Sequence, residues 1–322
     1  MYIVTGGAGF IGSAFIWKLN QSGIDDILVV DNLGCSEKWK NLVNRRYKDY
    51  IHKSGFLEHL LADKFSDIDG IIHLGACSST TERDADFLME NNFHFSWTVA
   101  RYAIDHGVRL INASSAATYG DGEHGFSDNE AGISALRPLN MYGYSKQLLD
   151  LWLLRENLTD KVASLKFFNV FGPNEYHKGD MSSVIYKAFF QVRDTGGIRL
   201  FKSYRSQYPD GGQLRDFVYV KDCVELIYWL LNHPKTNGIF NVGTGQARSW
   251  NDLAKSVFAA MDVSCSIEYI EMPEHLKAKY QYFTQAEMDK IQTAGCPVRF
   301  RSLEEGVHDY ITQYLQKPDP YL

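Results

Sequence analysis

Tyr142 and Lys146 stand four residues apart in Tyr142-Gly143-Tyr144-Ser145-Lys146, a spacing that puts both side chains on one face of a helix. A phenol with an ordinary pKa near ~10 is a poor base at neutral pH. An ammonium one turn away favours the phenolate and is expected to lower that pKa. The same lysine can hold the ribose of a nicotinamide nucleotide, so base and cofactor would share one scaffold. A Tyr–Lys pair also occurs on ordinary helix surfaces, and alone it carries little. Ser115 adds to it. It lies in Asn112-Ala113-Ser114-Ser115-Ala116-Ala117-Thr118-Tyr119-Gly120, directly after an apolar run. A serine at the end of a strand can hydrogen-bond both a substrate hydroxyl and the tyrosine oxygen.

The run Tyr2-Ile3-Val4-Thr5-Gly6-Gly7-Ala8-Gly9-Phe10-Ile11-Gly12-Ser13 reads as a buried strand, a glycine-rich turn and the start of a helix. Gly6 and Gly9 allow a tight turn and close backbone approach to a pyrophosphate, while Gly12 lets the helix pack on the strand. The helix N-terminus offers free N–H groups and a partial positive charge. Asp31 closes the next apolar run, Ile27-Leu28-Val29-Val30, where an acid can meet a ribose. Glycines also mark ordinary turns, but their place between strand and helix, with the acid following, points to a dinucleotide site.

These residues need strands to carry them. Apolar runs suited to buried parallel strands recur at 2–4, 27–30, 70–74, 108–113, 162–168 and 239–242. Segments with helical apolar spacing, including 87–103 and 145–156, lie between them. The alternation predicts an α/β fold: a Rossmann-like doubly wound parallel sheet with right-handed crossovers and a ligand crevice at the carboxyl ends of the strands. Residues 1–170 are expected to form the dinucleotide-binding domain, with returns near 216–245. Residues 171–215 and 246–322, richer in aromatic and turn residues, are expected to form a smaller interleaved α/β substrate-binding lobe.

The 322 residues are 45% apolar and 22% charged, ordinary for a globular chain. A net charge of −6 makes no electrostatic case for nucleic acid or an anionic membrane, and neither partner is expected. Cys35, Cys77, Cys223, Cys265 and Cys296 are scattered without metal-ligand spacing, so reduced thiols and no metal are expected. No apolar run approaches the ~18 residues of a membrane span. The glycine motif leaves no room for a signal peptide ahead of it, and a soluble cytoplasmic protein is expected.

Together with the glycine motif, Ser115, Tyr142 and Lys146 resemble the extended short-chain dehydrogenase/reductase superfamily. The resemblance continues through Phe168-Asn169-Val170-Phe171-Gly172-Pro173, Arg215-Asp216-Phe217-Val218-Tyr219-Val220 and Phe240-Asn241-Val242-Gly243-Thr244-Gly245. Those segments, by resemblance, shape a nucleotide-sugar site. Gly75-Ala76-Cys77-Ser78-Ser79-Thr80-Thr81, the run 138–146, His177-Lys178-Gly179 and the run 280–286 further resemble the heptose 6-epimerase family within it. That family supplies heptose for the inner core of lipopolysaccharide. The resemblance implies conversion of ADP-D-glycero-D-manno-heptose to its L-glycero epimer at C6, by transient oxidation with a bound nicotinamide cofactor.

One base suits one stereochemistry of the alcohol, and the other epimer calls for a second. The resemblance points to Tyr142 for one and Lys178 for the other. Read alone, Lys178 is a solvated loop lysine; as a base it needs its pKa lowered by desolvation or nearby positive charge. For the cofactor the resemblance implies Gly6, Gly9, Phe10, Ile11, Gly12, Asp31, Asn32, Lys38, Lys53, Leu74, Gly75, Ala76, Cys77, Ser78, Asn91, Lys146, Val170 and Lys178. For the substrate it implies Ser115, Asn169, Lys187, Phe201, Lys202, Ser203, Tyr204, Arg215 and Tyr280. Asp180 and Lys187 stand where that family more often has serine and histidine, and 201–204 departs from its small, glycine-containing version.

Asp31 favours NAD, because it accepts from a ribose 2′-OH and repels a 2′-phosphate. Lys38 and Asn32 stand nearby, and a lysine can neutralise that phosphate. NADP is expected, with NAD as the alternative. The resemblance also implies a homo-oligomer, a homopentamer. Other readings are a UDP-hexose 4-epimerase and a non-catalytic NADP-sensing protein. A 4,6-dehydratase needs extra acids beside Ser115, and Ala116-Ala117-Thr118 cannot supply them.

Overall fold

The computed structural model describes residues 1–277 and 280–322. Its strands in chain order are β1 (Tyr2–Thr5), β2 (Ile27–Asp31), β3 (Asp49–His52), β4 (Gly70–His73), β5 (Arg109–Ser115), β6 (Val162–Phe167), β7 (Asn169–Phe171), β8 (Ile198–Phe201), β9 (Leu214–Tyr219), β10 (Gly238–Val242), β11 (Ala247–Ser249) and β12 (Ile267–Ile270). Seven strands make one sheet in the order β10-β6-β5-β4-β1-β2-β3, and every pair in it is parallel. The order reverses between β1 and β4, which opens the ligand crevice of a doubly wound sheet at their carboxyl ends.

The near-continuous apolar strands follow from burial on both faces. Val4, Val29, Ile72 and Ile111 pack into one core layer, while Ile3, Leu28, Ile71 and Leu110 pack into the other. Successive strand residues alternate between faces, so both layers draw on the same short runs. The helices Phe10–Gln21 and Val220–Asn232 cover the first face, and Phe95–Asp105 and Met141–Arg155 contribute to the second.

Three features depart from the pattern read in the sequence. The edge strand β3 has no apolar run, because its residues are exposed or half-buried and need no two-sided burial. The segment 87–103 is not one helix. A π-helical stretch, Met89–His94, interrupts it between Ala85–Leu88 and Phe95–Asp105. Finally, within 216–245 only β10 returns to the main sheet. β9 pairs instead with β7 and β11 in a separate three-stranded sheet, and β8 pairs with β12.

Candidate active site

At Gly6 the chain leaves β1 with φ +66°, and a Cβ at Gly12 would lie 2.1 Å from the Gly6 carbonyl oxygen. The turn is thus drawn tightly against the helix Phe10–Gln21, whose cap, Gly9, has no side chain to occupy the first-turn N–H groups. Asp31 is buried at the end of β2. Its carboxylate accepts from Ala8 N–H at 2.8 Å and Asn32 N–H at 2.6 Å, and pairs with the Lys38 ammonium at 2.5 Å. Lys53 donates to Asn91 Oδ1 at 2.5 Å. Backbone donors, a buried acid at the end of β2 and two flanking cations fit a dinucleotide.

Ser115 ends β5, and its Oγ accepts from Ala117 N–H at 3.1 Å, leaving its proton to donate elsewhere. The helix Met141–Arg155 starts at Asn140, whose side chain accepts from Gly143 N–H at 2.8 Å. Gly143 lets that helix press on the turn after Ser115, since a Cβ there would lie 2.7 Å from Ala117 O. Tyr142 is half-buried beside Ser115. The expected lowering of its pKa is absent: burial holds the phenol above 10, with the Ser115 hydrogen bond opposing. Lys146 donates to Ala113 O at 2.8 Å, and burial lowers its pKa to about 8, with Asp150 opposing.

Lys178 lies in the helical turn Tyr176–Met181 beyond β7, 5.4 Å above the Phe10 ring. Burial lowers its pKa against the pull of Glu175. The buried Glu175 carboxylate closes this loop, accepting from Ser183 Oγ at 2.7 Å and Gly172 N–H at 3.3 Å.

One cavity of about 710 Å³ gathers most of these groups. Ser115, Tyr142, Lys146 and Lys178 line it, as does every residue expected at the cofactor from Gly6 to Val170, and so does Asn169. Lys187, Phe201, Lys202, Ser203, Tyr204, Arg215 and Tyr280 are not among its lining. Arg215 is buried between the rings of Tyr280, at 5.4 Å, and Trp250, at 5.7 Å. Trp250 lines the cavity and donates to Tyr280 OH at 2.9 Å, which links this cluster to it. Lys187 donates to Asp180 O at 2.6 Å, so the two positions that depart from the resembling family touch each other. Lys202 pairs with Glu271 at 2.7 Å, and Tyr204 also bonds Glu271. Phe201 ends β8, and Ser203 N–H donates to Asp210 at 2.7 Å.

Several residues without a sequence signal hold the site. Buried Asn92 donates to Cys77 O at 2.9 Å and Ser145 Oγ at 3.0 Å, and accepts from Cys77 N–H at 2.8 Å. The π-helical stretch brings it there, a common use of such stretches. His73 bridges Thr5, at 2.6 Å, and Ser96, at 2.7 Å, and burial lowers its pKa to about 3. Asn41 donates to Ala8 O at 2.9 Å and Asn174 O at 3.0 Å, tying the glycine turn to the loop that carries Lys178. Among the described residues no group of three or more His, Cys, Asp or Glu could hold a metal ion, and no helix is long and apolar enough to cross a membrane.

A doubly wound sheet with a glycine turn at its switch point and a Ser–Tyr–Lys set on a nearby strand and helix fits an enzyme that works with a nicotinamide cofactor. The chain belongs to the NAD dependent epimerase/dehydratase family, whose model matches residues 2–243. Along its whole length it is 64% identical to the full ADP-L-glycero-D-manno-heptose-6-epimerase of Nitratidesulfovibrio vulgaris strain DP4. It is 48% identical, again over 100% of both chains, to the enzyme of that name from Fusobacterium nucleatum. Among solved structures it resembles the Helicobacter pylori ADP-L-glycero-D-manno-heptose-6-epimerase, with a TM-score of 0.81 and 25% identity over 97% of this chain and 95% of that one.

Proposed function

We propose that this protein interconverts ADP-D-glycero-D-manno-heptose and ADP-L-glycero-D-manno-heptose by reversible oxidation at C6, with NADP held in the cavity. The observation that carries the reading is the gathering of Ser115, Tyr142, Lys146 and Lys178 around one cavity, in a chain similar over its full length to enzymes of that name. The chemistry supplied by a bound nicotinamide is reversible acceptance of a hydride, so an epimerase needs no net redox partner.

The protein's own groups then move one proton and choose a face. Tyr142 takes the C6 hydroxyl proton of one epimer and returns it on reversal. Ser115 orients that hydroxyl and the phenol together. Because burial opposes ionisation of Tyr142, the Lys146 cation is needed beside it, and it also holds the nicotinamide ribose. Lys178 serves the other epimer, its ammonium weakened by burial and so readier to act as a base. The transient C6 ketone presents its other face before reduction.

NADP is preferred over NAD because Lys38 sits on Asp31 and offsets its charge where a 2′-phosphate would lie. Arg215, Lys187, Tyr280 and the 201–204 segment are assigned to the ADP-sugar, within a substrate-binding lobe of 171–215 and 246–322. The cytoplasm, a homo-oligomeric assembly of five copies and the supply of lipopolysaccharide inner-core heptose complete the reading. Incubation with ADP-D-glycero-D-manno-heptose, followed by NMR assignment of C6, tests it. Inversion at C6 is expected; an unchanged substrate with cofactor bound would overturn it.

A further inference from the structure

Asp150 and Lys166 form an ion pair at 2.7 Å in which both side chains are 0% exposed. Neither lines the cavity. Asp150 lies on the helix Met141–Arg155, one turn beyond Lys146 and two beyond Tyr142, on the same face. Its carboxylate accepts from Ser114 Oγ on β5 at 2.7 Å and from Ser164 Oγ on β6 at 2.9 Å. Lys166, also on β6, donates to Thr118 Oγ1 at 2.7 Å, and Thr118 donates to the carbonyl oxygen of Ser115 at 2.8 Å. One continuous polar network therefore joins the helix of Tyr142 and Lys146 to the residue before Ser115 and to Ser115 itself.

Stability alone does not account for the pair. Replacing a buried ion pair with well-packed apolar side chains is often neutral or stabilising, because desolvation offsets the attraction. Apolar contact is also non-directional, and it leaves a helix free to settle where packing is best. Hydrogen bonds at one carboxylate from two strands allow a single placement of that helix over the sheet.

We propose that the Asp150–Lys166 pair is a positioning element of the reaction, which sets the separation between Ser115 on its strand and Tyr142 and Lys146 on their helix. This rests on the reading of those three residues as the catalytic group. The pair touches neither substrate nor cofactor, and it acts on the rate of the chemical step.

The test uses the full chain with its bound cofactor and ADP-D-glycero-D-manno-heptose. The Asp150→Leu/Lys166→Met double variant is expected to melt below the parent, because the buried Ser114 and Ser164 hydroxyls lose their acceptor, but to stay folded at the assay temperature. It is expected to retain cofactor and to keep KM within about twofold, while kcat falls by about 100-fold, the cost of a misplacement near 1 Å. Thr118→Val keeps the ion pair but cuts its link to Ser115, and a kcat loss of about tenfold is expected. A folded double variant with kcat within about threefold of the parent overturns the proposal. If the double variant does not fold, Thr118→Val decides, and an unchanged kcat there overturns it. Tyr142→Phe run alongside separates the two levels. An active Tyr142→Phe brings down the reading of the catalytic group and this proposal with it, whereas an inactive one beside an active double variant overturns the positioning role alone.

Discussion

The Lys38 ammonium lies 2.5 Å from Oδ1 of Asp31, while Oδ2 of the same carboxylate accepts the Ala8 N–H at 2.8 Å. The acid proposed to meet the ribose is thus tied to the glycine turn on one side and to a cation on the other. If NADP is the cofactor, as proposed, Lys38→Met removes that cation and would leave Asp31 unscreened against its 2′-phosphate. Retention of NADP is expected to fall at least about tenfold relative to NAD, the scale of a lost charge-assisted contact. Release of the bound cofactor by denaturation and its identification by mass, for parent and variant, checks this.

Tyr142→Phe and Lys178→Met are each expected to lower interconversion by about 100-fold or more, the usual contribution of a general base. Both variants should keep the parent circular dichroism, because neither side chain anchors the core, and Tyr142→Phe should keep bound cofactor. Near-parental turnover by Lys178→Met would remove the two-base scheme and leave Tyr142 as the only base.

His73 is buried, and its pKa is lowered from 6.5 to about 3 chiefly by desolvation, with Lys146 adding to the effect. Above pH 6.5 the ring is neutral in both folded and unfolded chains. As the pH falls from 6.5 towards 3, the unfolded chain takes up a proton that the folded one refuses, so stability is lost across that window. At its fullest this amounts to ~5 kcal/mol. In His73→Gln, urea midpoints between pH 6.5 and 4 are expected to fall less steeply than in the parent. Parallel slopes would show that the histidine is not the source.

Gly12→Ala places a methyl group where the Gly6 carbonyl already stands, 2.1 Å away. Backbone cannot yield as a side chain does, so the turn must open. A loss of about 2 kcal/mol or more is expected, together with loss of tightly bound cofactor. Denaturant melts and the cofactor content of the purified variant measure both.

Much of this architecture was legible because local chemistry and tertiary role coincide. Ile27–Val30 and Ile239–Val242 lie in the parallel sheet and are buried throughout, which shows as near-continuous apolar runs, whereas the run of β6 is broken by the buried Ser164 and Lys166. The glycines of β1's turn are legible for a related reason, since only that residue type survives the close approach of Gly12 to Gly6. β3 was not legible, because an edge strand needs no apolar run. Nor was the break at Met89–His94, whose residues differ little from those of an ordinary helix.

The sequence by itself determined six of the sheet's seven strands, the place of the glycine turn and the shared helix face of Tyr142 and Lys146, since each shows in residues within a few positions of one another. Only the tertiary structure decided what those groups experience. Burial raises the Tyr142 pKa instead of lowering it, and Lys146 spends a hydrogen bond on Ala113 O. Thr5 with His73, Asn92 with Ser145 and Asp150 with Lys166 meet across 68, 53 and 16 residues of chain. Desolvation and hydrogen bonding are set by whatever the fold brings alongside, and no local pattern encodes partners that far away.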